Sequence, residues 1–220
     1  MQFQLNAYSG LQWSDLSFLL QGIGRTLLLT FLSGLFGTVL GAFIGWARES
    51  NVVARFLFAP MIDVMRSIPL IIQFILINSA CSALGAPLAP LEVGVLTLGL
   101  YMAAMTSELV RSGLQSVRPA LKRGARSLGM TYWQELRLIS MPLAIRTVLP
   151  GWIGTLIGLT KDTALVSVVG YIELLRTSQI LITRTNEALL LLTGVGVAYF
   201  LICYPISRYS RVLERRLNHD

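Results

Sequence analysis

At 220 residues, 54% hydrophobic and only 13% charged, the chain carries roughly half the charged fraction of average usage, which is about a quarter, and an ordinary soluble domain is excluded. Its charges gather between long windows that hold none, so the length divides into about five membrane spans of ~20 residues with short connections and no separate globular domain. The net charge of +7 fits positive-inside topology rather than a nucleic-acid binder, and no phosphate-binding loop or dinucleotide fingerprint occurs.

Residues 1–15 form a polar-aromatic lead, with Trp13 as an interface anchor. They lack a basic n-region and a cleavage pattern, so the first span is expected to stay in the mature protein. Span 1 is predicted over Leu16–Ala47, with Arg25 snorkelling near its start. Gly37, Gly41 and Gly45 bare one face of it for close packing. Span 2 is predicted over Val52–Cys81, kinked or broken at Pro69. Asp63 and Arg66, three apart, are placed to neutralise each other. Span 3 runs over Val93–Leu114 and span 4 over Ile145–Gly170, with a polar tetrad Thr160–Thr163. The amphipathic stretch 171–187 reads as a surface or re-entrant helix, and span 5 follows over Ala188–Ser207. Cys81 and Cys203 read as packing residues, and His219 as a solvated tail residue. No metal site is expected.

Lys and Arg set the orientation. Arg48, Arg55, Arg111, the stretch 118–142, Arg146, Arg208, Arg211, Arg215 and Arg216 fall on one side. Arg176 and Arg184, balanced by Glu173 and Glu187, fall on the other. With five spans this predicts an outside N-terminus and a cytosolic C-terminus.

The stretch 118–142 is a basic island, holding Arg118, Lys122, Arg123, Arg126 and Arg137 against the single acid Glu135. Pro119 suits the first turn of a helix ending before Gly129 in the αL conformation. Thr131 and Gln134 stand in capping-box spacing and start a second helix. Trp133, Leu136 and Ile139 give that helix an apolar face, and Pro142 is expected to stop it. Such a knob either touches a cytosolic partner or meets anionic lipid head groups.

Charges at membrane depth need a partner or a purpose. A zwitterionic amino acid offers both signs. Lys161 suits its carboxylate, and Glu108 and Asp162 suit its ammonium, with Thr160 and Thr163 at the edges. Equally, these charges neutralise other protein groups and hold the bundle together. Gln73, four residues after Pro69, reaches the same cavity or satisfies a kinked backbone.

The island resembles the cytoplasmic coupling loop of ABC importer permeases, whose pattern is Glu-Ala-Ala, three residues, Gly, nine residues, Ile-x-Leu-Pro. Ala125, Gly129, Ile139 and Pro142 match it, and Met141 is a mild replacement. Arg123 and Gly124 depart from it, and the first reverses a charge. Arg66–Leu70, Ser107-Glu108 with Arg111 and Gly113, Lys161–Ser167, Gly129-Met130-Thr131, Trp133-Gln134 and Leu174–Arg176 are similar to motifs of the polar amino acid permeases, in the same order. The resemblance implies an all-α, five-helix permease in a bacterial cytoplasmic (inner) membrane, forming a single domain over 1–220 with a two-helix coupling loop at about 116–144. It implies that Arg123, Gly124, Ala125, Leu128, Gly129, Met130, Trp133, Ile139 and Pro142 meet an ATPase, and that Glu108, Lys161, Asp162, Thr163 and Gln73 surround the substrate. A second permease subunit, two ATP-hydrolysing subunits and an extracytoplasmic solute-binding protein would complete the assembly. ATP and Mg would be bound by the ATPase and no cofactor by this chain, which would itself be no enzyme and would bind no nucleic acid. The alternative is a proton-coupled secondary transporter of small amines with Glu108 or Asp162 as proton carrier, which leaves the cationic knob without a task.

Overall fold

The computed structural model describes residues 10–217. Residues 1–9 of the lead, the side chain of Arg216 and His219 lie outside what it describes. The described residues are helical throughout, joined by short turns. Helix α1 is Trp13–Ser50, and its 38 residues extend about 57 Å at 1.5 Å per residue, beyond a hydrocarbon core of about 30 Å. Its buried face is built from small residues, Gly34, Gly37, Gly41 and Gly45 among them. Opposite it lies α4, Pro90–Ser116. A Cβ added at Gly37, Gly41 or Gly45 would come within 2.6, 2.5 and 2.7 Å of the carbonyl oxygens of Gly99, Ala103 and Ser107. The glycine ladder therefore brings two backbones into direct contact, and only glycine fits there.

The expected second span is two helices, α2 (Val52–Ser67) and α3 (Leu70–Ala83), bent by 114°. Ile68 is extended (φ −84°, ψ 131°), as a residue before proline must be, and Pro69 opens α3. Pro69 thus turns the chain rather than kinking a straight span. Four helical stretches are long and apolar enough to cross a membrane, or five where the bent pair counts as one crossing.

Helix α5 is Pro119–Ser127. It ends in a Schellman motif, in which Gly129 N–H donates to the Arg126 carbonyl (3.0 Å) and Met130 N–H to that of Ala125 (3.2 Å). Gly129 sits at φ +84°. Helix α6, Tyr132–Glu135, opens with both arms of the Thr131–Gln134 capping box. One expectation fails here. Pro142 does not end the helix, because α6 runs through a π-helical turn at Leu136–Ser140 into α7, Met141–Asp162. The wider turn takes Met141 N–H to the Leu136 carbonyl, and Pro142 enters at the start of α7, where its missing N–H does little harm. The apolar residues Trp133, Leu136 and Ile139 are covered unevenly. The π turn shifts the register, burying Glu135, Leu136 and Ser140 and leaving Trp133 outside.

Beyond α7 a 3₁₀ segment, Thr163–Val169, leads through Gly170 to α8 (Leu174–Thr185) and α9 (Ala188–Leu217). The core joins Leu29, Phe74, Leu98, Met102, Leu159 and Val166, so α1, α3, α4, α7 and the 3₁₀ segment meet in the middle. At one end Arg25 Nη1 donates to the Ile172 carbonyl (3.2 Å) and Arg184 pairs with Asp15. The basic hairpin gathers at the other.

Candidate functional site

The basic hairpin is pinned to the ends of α1 and α4. Trp46 Nε1 donates to the Tyr132 hydroxyl (3.2 Å), which also lies 2.7 Å from Ser50 Oγ. Lys122 Nζ donates to the Leu114 carbonyl (2.8 Å), and Arg126 lies 5.6 Å from the centre of the Tyr132 ring, a cation–π distance. Glu135, the lone acid, is buried and accepts a hydrogen bond from Ser140. Its role is to fasten the π turn, and its isolation within a basic stretch was the signal.

Of the residues expected to meet a partner, Ala125 is buried and Met130 and Ile139 are half-buried. Arg123, Gly124, Gly129 and Pro142 are exposed, as are Leu128 (86%) and Trp133 (62%). Two large apolar side chains therefore stand in the open beside a cationic face. Gly124 has no neighbour within 4 Å of a Cβ position, so its departure from the motif is not dictated by space.

Of the five candidate substrate residues, Lys161, Asp162 and Thr163 are consecutive at a helix break, and Glu108 is engaged elsewhere. Gln73 is buried, and its Nε2 donates to the carbonyls of Met65 and Ile68, both at 2.8 Å. It binds up the backbone freed at Pro69, while its Oε1 has no partner. Thr163 is buried and donates to the Thr160 carbonyl (2.7 Å). Lys161 is exposed and Asp162 half-buried, where the α-helix tightens into the 3₁₀ segment. Asp162 and Arg66 both lie within electrostatic range of Tyr101 on α4, and Lys161 within that of Cys203 on α9.

Glu108 stands apart, about two turns along α4 from Tyr101 and towards the basic end. Its Oε1 lies 2.6 Å from Nη1 of Arg48, which also donates to Ser107 Oγ (3.1 Å). Arg48 is only 2% exposed. The residue counted only among the cations of one side is thus buried, and Glu108 is the carboxylate that pairs with it. Asp63 and Arg66 are both exposed. Among the described residues the ion pairs are Arg48–Glu108 and Arg184–Asp15, so the expected mutual neutralisation of Asp63 and Arg66 is replaced by separate exposure.

Sequence reasoning also missed Glu173. It does not balance Arg176 through the side chains, because Arg176 Nη1 turns to Gln179 (3.2 Å). The buried carboxylate of Glu173 caps α8, accepting from the backbone N–H of Leu175 (2.8 Å) and Arg176 (2.7 Å) and from the Tyr199 hydroxyl (3.3 Å). Burial pushes its carboxyl above the usual range, against those three donors.

An all-helical bundle of apolar spans, a basic hairpin fastened to one end and a charged helix break at the far end of α7 define a multi-pass membrane protein. The chain belongs to the family of binding-protein-dependent transport system inner membrane components, which matches residues 37–219. It is 30% identical over 220 residues to the glutamine transport system permease protein GlnP of Escherichia coli (strain K12), covering 99% of each chain. It is 32% identical over 199 residues to the L-cystine transport system permease protein TcyB of Bacillus subtilis (strain 168), covering 90% of this chain and 85% of the relative. A chain from the crystal structure of an amino acid ABC transporter with histidines superposes with a TM-score of 0.84 at 29% identity, over 94% of this chain and 100% of the other. A chain of the MetNI methionine ABC transporter shares the fold, with a TM-score of 0.79 at 22% identity, over 94% of this chain and 99% of the other.

Proposed function

We infer that this chain is the permease subunit of an ATP-driven importer of polar amino acids in a bacterial cytoplasmic membrane. The observation that carries the reading is the family match over residues 37–219, together with relatives named for glutamine and cystine transport. In this reading the N-terminus is outside and the basic hairpin is cytosolic, as the Lys and Arg bias requires. The hairpin is the coupling element. Leu128 and Trp133 supply its apolar contact and Arg123 its charge, and a separate ATPase, which binds ATP and Mg, receives them. A second permease subunit, identical or paralogous, and an external binding protein complete the assembly.

Asp162, Lys161 and the neighbouring Thr163 form this subunit's share of the substrate site. Half-buried and exposed charges at a helix break, within an apolar bundle, suit a zwitterion that brings both signs. Gln73 supports that region from the Pro69 turn, and its unpartnered Oε1 is the acceptor it has left to offer. Glu108 contributes through Arg48, by holding α1 to α4. The relatives give no support to a proton-coupled carrier, and such a carrier leaves the exposed hairpin without a task.

Copurification tests the coupling element. The Leu128→Asp, Trp133→Ala double variant is expected to enter the membrane and fold, yet to retain less than about a tenth of the associated ATPase, as loss of two central interface side chains predicts. Undiminished association with normally stimulated ATP hydrolysis would refute it.

A further inference from the structure

Glu173 is a fully buried carboxylate with no cation to pair with among the described residues. Such a charge is costly to bury unless its oxygens are well supplied with donors, and capping a helix asks only for one short polar side chain. The rest of its hydrogen-bonding capacity goes to another element. Oε1 takes the Arg176 N–H, whereas Oε2 takes both the Leu175 N–H and the Tyr199 hydroxyl from α9. The same Tyr199 hydroxyl is flanked by the side-chain hydroxyls of Thr26 on α1 and of Thr163, the first residue of the 3₁₀ segment. Thr26, Thr163 and Glu173 are all 0% exposed. Four elements therefore meet at one phenol oxygen.

The members of this cluster are also tied to their own neighbours. Thr26 Oγ1 accepts the Leu174 N–H (3.2 Å), Thr163 Oγ1 donates to the Thr160 carbonyl (2.7 Å), and Thr177 Oγ1 donates to the Glu173 carbonyl (2.7 Å). A Cβ added at Gly22 would come within 2.8 Å of Thr177 Oγ1 and 3.0 Å of the Leu174 Cα, so α8 lies hard against α1. Thr163 directly follows Asp162 in the chain. The charged break and the start of α8 are thus the two ends of one segment, and the Tyr199 hydroxyl holds both.

We propose that Tyr199 and Glu173 are positioning residues for the solute site, fastening the break that bears Lys161 and Asp162 to α8 and α1. The proposal rests on the reading of that break as the solute site. Neither residue touches the solute. Tyr199 acts through Thr163, and Glu173 acts through Tyr199, whose hydroxyl it orients by accepting its hydrogen bond. Loss of that hydroxyl leaves Thr163 held by the Thr160 carbonyl alone and removes one of the three donors to a buried carboxylate, whose hydrogen bonds are stronger than those between neutral groups.

The test is the ratio of solute accumulated to ATP hydrolysed. It is measured in proteoliposomes holding this chain, its second permease subunit and its ATPase, with the external binding protein and radiolabelled polar amino acids, glutamine among them, supplied. A loss of folding or assembly lowers uptake and hydrolysis together and leaves that ratio alone. Tyr199→Phe, which removes one oxygen atom, should keep hydrolysis within about twofold and lower the ratio about tenfold, the effect of one charge-assisted hydrogen bond. Glu173→Gln should lower it too, and the double variant should be no worse than the poorer single variant, because the two residues act as one unit. Asp162→Asn separates the proposal from the reading beneath it. A ratio lowered by Asp162→Asn but untouched by Tyr199→Phe would overturn the positioning role. So would uptake and hydrolysis falling in step in Tyr199→Phe, or losses that multiply in the double variant. An unchanged ratio in Asp162→Asn, or no uptake of any of these solutes by the unaltered transporter, would overturn the site itself and the proposal with it.

Discussion

Arg48 shows how a single residue reveals what its helix must do. Its guanidinium is buried at the end of α1, and Glu108 meets it across α4. Removing either partner leaves an uncompensated charge in an apolar setting, a loss of about 3 kcal/mol for a largely buried pair. Arg48→Met and Glu108→Gln should each lower thermal stability in detergent, and the double variant should lose clearly less than the sum. Strictly additive losses would show that the two do not act as a pair. Asp162 carries the opposite expectation. Half-buried and given no hydrogen-bond partner in the fold as described, it should tolerate Asn without loss of assembly, while uptake falls about tenfold, the effect of losing one charge-assisted hydrogen bond. Unchanged uptake by Asp162→Asn would remove it from the site.

The sequence made plain that Glu108, Lys161 and Asp162 need partners, because charge at membrane depth is expensive wherever it falls. It could not say which partner. Arg48 and Glu108 are 60 positions apart and meet only because the Gly37–Gly45 ladder sets α1 against α4 in one register. Gln73 had two roles open to it, and the direction of its amide towards Met65 and Ile68 depends on how sharply Pro69 turns the chain. A proline announces that break. Its 114° angle comes from packing.

At the scale of the element, the basic hairpin was the most legible part of the chain, because its signals are local. A glycine past a short helix and a Thr-x-x-Gln box act within a few residues of themselves, and both take the form that their spacing implies. The two glycines of the hairpin should therefore behave oppositely. Gly129 sits at φ +84°, so Gly129→Ala should cost about 1–2 kcal/mol of hairpin stability. Gly124 lies inside α5 in open space, so Gly124→Ala should gain about 0.5–1 kcal/mol. Limited proteolysis of the hairpin in the purified chain reads both, and faster cleavage of Gly124→Ala or slower cleavage of Gly129→Ala would contradict the assignment. The π turn was illegible for the contrary reason. It depends on Pro142 and on the burial of Glu135 and Ser140 by other helices, which no local pattern records.

Across the whole molecule, the sequence carried the all-helical class and the four or five apolar stretches, since hydropathy is a sum over long windows. Close packing was partly legible in the glycine ladder. The pairing of Glu108 with Arg48 was not, because it depends on which turn of each helix faces inward. What the chain offers at one end is a pinned cationic hairpin, and farther along α7 a helix break bearing charges of both signs. That division suits a subunit that converts work done by a cytosolic partner into movement around a membrane-embedded site.

Uptake of radiolabelled glutamine and other polar amino acids into proteoliposomes holding this chain, its second permease subunit and its ATPase, with the external binding protein added, tests that claim most directly. At least one of these solutes should accumulate only with ATP on the hairpin side, and at the same rate after a protonophore collapses the proton gradient. Accumulation without ATP, or its loss on adding the protonophore, would contradict the account.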